Sequence, residues 1–306
     1  METALKKTTM NQGTYAVLAS LALLTAGSAQ ALEAGSTPAY PNGGESYLAG
    51  AVPPPGFYSL IYASSYSANR INDSQGNNLN VPGFKIRANA IAARFAWVPG
   101  VKVGDGDLVF HTIVPLLNIS GSTPAGSQTR TGVGDVTVGG AVGFHHGPNF
   151  HTVLGVDWHL DTGSWSQSNI VNLGNNHKTV EPIFAFSYID PKGWNADMRV
   201  GYSINQKNKA TDYRSGDDFH FDYSVGWGLG PKWVLGAGGY YYQQVKNDKQ
   251  AGVELANSKA RAMSIGPALK YDGGNGWIFT VKWSKEFAVR GMTQGSALQI
   301  KAIMPF

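Results

Sequence analysis

Alternation with a period of two runs along most of this chain. In Phe150–Leu160, residues Phe150, Thr152, Leu154, Val156, Trp158 and Leu160 form one face, while His151, Gly155, Asp157 and His159 dominate the other. In 217–229 the residues Phe219, Phe221, Tyr223, Val225, Trp227 and Leu229 oppose Asp218, His220, Asp222, Ser224, Gly226 and Gly228. Successive side chains of a strand point to opposite sides, so each stretch predicts a strand with one apolar and one polar face. Twelve such strands are expected, near 57–67, 83–97, 107–119, 131–145, 149–161, 179–189, 194–205, 217–229, 232–245, 260–271, 276–287 and 296–306. Short turn-like connections (Gly147-Pro148-Asn149, Asp190–Gly193, Gly230-Pro231-Lys232, Asp272–Gly276) alternate with longer polar ones at 68–82, 120–130, 162–178, 206–216, 246–258 and 288–295. Only 98–106 is long for its place.

An even number of strands with alternating short and long connections predicts an all-β transmembrane antiparallel barrel with short periplasmic turns and longer extracellular loops. A soluble sandwich would show the same alternation with the apolar face turned inward. Trp97, Trp194, Trp233 and Trp277 all fall at the short-turn side, as a membrane-interface girdle would. Residues 298–306 alternate to the final Phe306, which resembles the closing strand that barrel assembly machinery reads in bacterial outer-membrane barrels. At the other end, Lys6 and Lys7, the apolar run Tyr15–Leu24 and Ala29-Gln30-Ala31 read as a secretory signal peptide, 1–31. Residues 32–55 carry no period, are rich in Gly and Pro, and form a candidate lumen plug; 56–306 is the barrel.

Composition sharpens this picture a little. Removing residues 1–31 from 306 leaves 275, enough for one large barrel. Cysteine is absent, which excludes disulfides, thiolate metal sites and cysteine nucleophiles. Net charge is +4, too small an excess to point to nucleic acid. Mean hydropathy is slightly negative, as lumen polarity makes it in barrels. No P-loop, zinc motif or G-x-S-x-G is present, so no enzyme and no cofactor are expected.

Pro53-Pro-Pro-Gly-Phe-Tyr58, Thr131-Gly-Val-Gly-Asp-Val136, Asp157-Trp158 before Thr162-Gly163, Tyr213-Arg-Ser-Gly216 before His220-Phe-Asp-Tyr223, and Gly238-Gly-Tyr-Tyr-Tyr-Gln243 occur in that order. Together they resemble the outer-membrane proteins associated with the meta-pathway of phenol degradation. The resemblance implies an outer-membrane channel linked to catabolism of aromatic or other hydrophobic compounds. It carries no agreed ligand residues.

Two Asp-x-His-x-Asp triplets, Asp157, His159, Asp161 and Asp218, His220, Asp222, would enter the lumen, with neighbours about 7 Å apart. Glu181, Asp197 and Arg199 join them on intervening strands; Lys282, Lys301, Lys85 and Arg87 are expected on a facing basic wall. Opposed walls of this kind give a field across a pore, or an ion network that fills it; a metal site is a third use, though each triplet has one imidazole. Tyr240, Tyr242 and Gln244, with Gln243, would line a loop-side pocket or belong to the outer aromatic girdle. Pro115, Pro182 and Pro267 remove ladder hydrogen bonds. Pro115 is the candidate for a kink opening a lateral exit, as in long-chain fatty acid transporters.

The expected function is passive uptake of small hydrophobic or aromatic compounds across the outer membrane. The alternatives are a narrow porin for polar or charged solutes and a non-transporting structural or adhesive barrel. Expected partners are outer-membrane lipid, lipopolysaccharide phosphates at the loop cations Lys178, Lys207, Lys209, Arg214, Lys246, Lys249 and Lys259, and the assembly machinery through Phe306.

Overall fold

The computed structural model describes residues 38–305. The leader, the first residues of the N-terminal segment and Phe306 lie outside the described residues.

Twelve strands close into one antiparallel barrel: β1 Gly56–Ile71, β2 Lys85–Val98, β3 Gly106–Thr123, β4 in two pieces (Gly126–Val133 and Thr137–His145), β5 Phe150–His159, β6 Thr179–Tyr188, β7 Trp194–Asn205, β8 Asp218–Gly228, β9 Trp233–Gln244, β10 Arg261–Gly274, β11 Trp277–Arg290 and β12 Thr293–Pro305. Each pairs with its sequence neighbours, and β1 with β12 closes the ring, Tyr58 opposite Pro305 through Ile71 opposite Thr293. Closure pairs both ends of the sheet; among the described residues the upper piece of β4 keeps an open edge, since it pairs only with β3.

Large apolar side chains point out, among them Phe57, Ile91, Leu154, Leu235, Ile265 and Trp283. The polar faces are buried inside: Asp157, Glu181, Asp197, His220 and Lys282 are each under 5% exposed. This inversion of a soluble sandwich is what a membrane barrel requires. At the short-turn end the expected girdle is present: Trp97 stacks on Phe57 at 5.8 Å, Trp194 meets Trp227 edge-on at 5.3 Å, and Trp233 packs on Tyr271 at 4.4 Å. The long turn 98–106 is a small hairpin of its own, Lys102–Val103 pairing with Gly106–Asp107.

Two connections expected as long loops are not loops. The 120–130 segment is the tip of a hairpin in which β3 and β4 continue beyond the apolar band, with Ser120–Thr129 and Ser122–Ser127 hydroxyl pairs at 2.9 Å. The 288–295 segment is a tight turn between β11 and β12. Polar side chains on these strands follow from their height above the lipid. The 206–216 and 246–258 loops form a three-stranded sheet over the mouth, from Tyr213–Arg214, Lys249–Gln250 and Val253–Glu254.

The three prolines sit where a ladder is interrupted. Between the pairs Ile113–Thr137 and Leu116–Val133, two residues of β3, Val114 and Pro115, face three of β4, Gly134, Asp135 and Val136. This is a bulge, and it reverses which residues of β4 face inward. Pro182 falls in the gap between Val180–Ile204 and Ile183–Gly201, and Pro267 between Ile265–Lys285 and Ala268–Lys282. A residue without an N–H is tolerated where no partner awaits it.

Candidate functional site: a lumen divided in two

Residues 38–55 run down inside the barrel, from Tyr40 beside His220 to the short-turn end where Gly56 opens β1. An extended segment has no ladder of its own, so its buried backbone groups need partners, and the wall supplies them by sign. Asp222 accepts from Tyr40 Oη at 2.6 Å and from the N–H groups of Gly43 at 2.7 Å and Glu45 at 2.8 Å. Asp197 accepts from the N–H groups of Leu48 at 2.6 Å and Ala49 at 3.3 Å, and Ser187 Oγ from that of Gly50 at 2.8 Å. The cations take the carbonyls: Lys282 Nζ donates to Glu45 O at 2.6 Å and Lys301 Nζ to Tyr47 O at 2.9 Å. Lys301 also holds the Glu45 carboxylate at 2.8 Å. The acidic and basic walls therefore do not face one another across an open passage; the segment lies between them. Tyr47 fills sockets left by Gly226 and Gly236, and Val52 one left by Gly143, where any Cβ would collide.

Above this segment the charges close on themselves. Glu181 accepts from Arg199 at 2.8 Å, and its oxygens meet His159 at 2.6 Å and His220 at 3.0 Å. Asp157 joins Arg199 at 3.1 Å to His111 at 2.9 Å, and Asp218 holds the other nitrogen of His220 at 3.0 Å. Tyr40 is clamped on this ladder, stacked on His220 at 4.8 Å with the Arg199 guanidinium 4.0 Å from its ring centre.

The remaining expected residues are distributed differently. Asp161 lies past the end of β5, exposed, with only Lys178 within 4.0 Å, and does not join its triplet. Tyr240 donates to Glu286, Tyr242 packs on Ala260 and Ala262, and Gln244 donates to Asp248, so all three face inward under the loop sheet. Lys85 and Arg87 are on the outer face of β2, exposed, because the lumen face of that strand is Ile86, Ala88, Ala90, Ala92, Arg94 and Ala96. Pro115 is at the bulge, where Gly134 N–H donates to its carbonyl at 2.9 Å. Glu45, Arg94 and His111 were not signalled by the triplet pattern.

A cavity of about 950 Å³ runs through the lumen, with β1, β2, β3 and the N-terminal segment on one side and Asp157, His159, Arg199 and Lys301 reaching it on the other. On the β2–β3 side its wall is small and apolar: Ala88, Ala90, Ala92, Ile113 and Leu117 among others. Val52, packed among Ala96, Val98, Val109, Ala141, Val153 and Ala185, forms its floor. Trp165, Val171 and Leu173 of the 160–178 connection form its roof. That connection also lies along the open edge of the upper piece of β4, where the N–H groups of Ile170 and Val171 donate to Gln128 Oε1. His177, in the same roof, donates from Nδ1 to the Lys178 carbonyl at 3.3 Å; burial, against that bond, holds its pKa below the ordinary imidazole value.

The family described as the MetA-pathway of phenol degradation matches residues 68–302. No curated protein matches the chain. Among solved structures, an outer membrane channel from Pseudomonas putida F1 superposes with a TM-score of 0.73 at 16% identity, covering 84% of this chain and 97% of that one. The toluene transporter TbuX of Ralstonia pickettii gives 0.45 at 8% identity over 82% of this chain and 90% of its own. The translocator domain of the autotransporter NalP from Neisseria meningitidis gives 0.48 at 10%, over 84% and 91%.

Proposed function

The chain belongs to the family of the MetA-pathway of phenol degradation, and we propose that it is a passive outer-membrane channel for small hydrophobic and aromatic compounds, not an enzyme. The observation that carries this reading is the apolar β2–β3 wall of the cavity of about 950 Å³ beside the docked N-terminal segment. Burying an aromatic ring of roughly 200 Å² there yields about 5 kcal/mol before the cost of immobilising it. The net is weak binding, which suits a channel that must release its solute.

The solute would be captured beneath the 160–178 roof and leave past Val52 at the floor. The β3–β4 bulge supports a second, lateral route: its Gly134–Val136 stretch is closed by Thr162, Gly163 and Asn175 of the roof connection rather than by a strand. An apolar depression on the outer face, lined by Ile91, Leu116, Leu298 and Ile300, shares Ala90 and Leu117 with the cavity wall. The charges that would serve a polar-solute porin are engaged by residues 40–50, which weighs against that reading. Among the loop cations, Lys178 pairs with Asp161, Lys207 with Asp212 and both Arg214 and Lys246 with Asp217, leaving Lys209, Lys249 and Lys259 as the better candidates for lipopolysaccharide phosphates.

Uptake into proteoliposomes tests the proposal. Toluene and phenol should enter saturably through the purified barrel and sugars should not. Ready passage of sugars or amino acids would replace it with a porin.

A further inference from the structure

Within the apolar half one side chain is out of character. Of the residues that β1, β2 and β3 contribute to the cavity lining, Arg94 alone carries a charge. It rises from an otherwise Ala- and Ile-rich face, between Ala92 and Ala96 and opposite Ile113 across the ladder. A guanidinium in such surroundings needs partners for five donors. Arg94 has a single, long ion pair, Nη1 to Glu45 Oε1 at 3.3 Å, with the Tyr62 hydroxyl beside the guanidinium, and its Nε–H has no acceptor.

Glu45 does not depend on that contact. Lys301 holds its other oxygen at 2.8 Å, and Tyr62 Oη donates to Oε1 at 2.8 Å. Nor is Asp157, the other carboxylate near Arg94, available to it: Asp157 is held by His111 and Arg199. The side chain is still 24% exposed, at a cavity. A planar fork whose one carboxylate partner is better held elsewhere is matched by another carboxylate, bound through two parallel N–H donors.

We propose that Arg94 is the head-group receptor of the cavity, selecting small aromatic monocarboxylates over neutral aromatics of the same size. The ring lies against Ala90, Ala92 and Ile113, and the carboxylate displaces Glu45 Oε1 from the guanidinium while Glu45 stays on Lys301. This deepens the hydrophobic-channel reading and rests on the same cavity.

Equilibrium dialysis of radiolabelled benzoate, benzyl alcohol and toluene against the full barrel in nanodiscs, with empty nanodiscs as blank, tests it at neutral pH. Benzoate should bind about tenfold or more tighter than benzyl alcohol, the scale of one charge-assisted contact. Arg94→Met should abolish that preference and leave toluene within about twofold. Glu45→Gln should strengthen benzoate binding several-fold by removing the competing charge, and it keeps the test open if Arg94→Met fails to fold by heat-modifiable mobility. Equal binding of benzoate and benzyl alcohol, or benzoate binding indifferent to Arg94→Met or weakened by Glu45→Gln, would overturn the assignment while toluene binding stands. Arg94-dependent benzoate binding without any toluene binding would instead uphold Arg94 and sink the hydrophobic-channel reading.

Discussion

Strands β2 and β8 both cross the membrane with the same alternation and turn opposite materials into the lumen. From β8 come Asp218, His220, Asp222 and Ser224, all buried; from β2 come Ile86, Ala88, Ala90, Ala92 and Ala96 around one arginine. The difference follows what each strand faces. β8 meets an extended backbone segment whose polar groups need partners in a place with little water, and its Asp222 accepts from two of the N–H groups. β2 meets a cavity. Lumen polarity here is thus fitted to the docked segment on one side and is apolar along the β2–β3 wall on the other.

The comparison breaks most visibly if the polar half loses its hold. Asp222→Ala strips the acceptor from three donors, and removing one partner of a buried charge cluster costs roughly 3–5 kcal/mol. Because the chain has no cysteine, a single Ser46→Cys reports docking cleanly. Thiol labelling at that position should accelerate at least about a hundredfold in the Asp222→Ala background, and ionic conductance should rise. Labelling that stays slow would mean that the segment is held by something other than these charges.

The other half is tested by filling it. Ala90→Phe places a ring in the solute space without touching residues 38–55, so saturable aromatic uptake should fall about tenfold, the scale of a lost binding site of order 1.4 kcal/mol. Ser46→Cys labelling should not change. Undiminished uptake would move the route out of this cavity.

Much of this division could be read from the chain, and the failures are instructive. In β8 the large apolar residues all lie on one face, because lipid contact demands bulk on one side only, and Asp218, His220 and Asp222 turn inward; in β5 Asp157 and His159 turn inward together with Val153, and Asp161 falls past the end of the strand. β2 has alanine on both faces over Ala88–Ala93, so alternation alone does not say which side is in; Phe95 and Trp97, sharing parity with Lys85 and Arg87, carry the missing signal. Those two cations lie above the apolar band, where an outward charge meets water rather than lipid. The β4 bulge was hidden because Val133 and Val138 both point out although their separation is odd, a reversal that only the extra residue at 134–136 explains. Glu45 was illegible: residues 38–55 have no period, and the partners of Glu45 are spread from 17 positions away, at Tyr62, to 256, at Lys301.

Within the polar half, the charge ladder should prove structural rather than transporting. Glu181→Gln leaves Arg199 with Asp157 alone among its carboxylates and removes the charge that His159 and His220 face. A loss of about 2–3 kcal/mol in urea-induced unfolding, followed by tryptophan fluorescence, is expected, with aromatic uptake within about twofold of native. Uptake collapsing at unchanged stability would place the solute path on the ladder side and erase the distinction between the halves.

The smallest effect concerns the roof. His177 belongs to the extracellular connection that roofs the cavity, and burial holds its pKa below the ordinary imidazole value of 6.5. With a folded pKa below the unfolded one, the closed roof binds fewer protons than the open one. Its stability is complete above about pH 6.5 and declines as pH falls through the lowered folded value. Aromatic uptake should therefore rise modestly, by about twofold, on acidification from neutral, while Ser46→Cys labelling stays flat because the charged groups His177 faces are Asp161 and His159, not the acceptors that hold residues 40–50. His177→Gln, which keeps a donor for the Lys178 carbonyl but cannot titrate, should remove the rise. A rise that survives the substitution would put the pH-sensitive closure elsewhere than in the roof of the cavity.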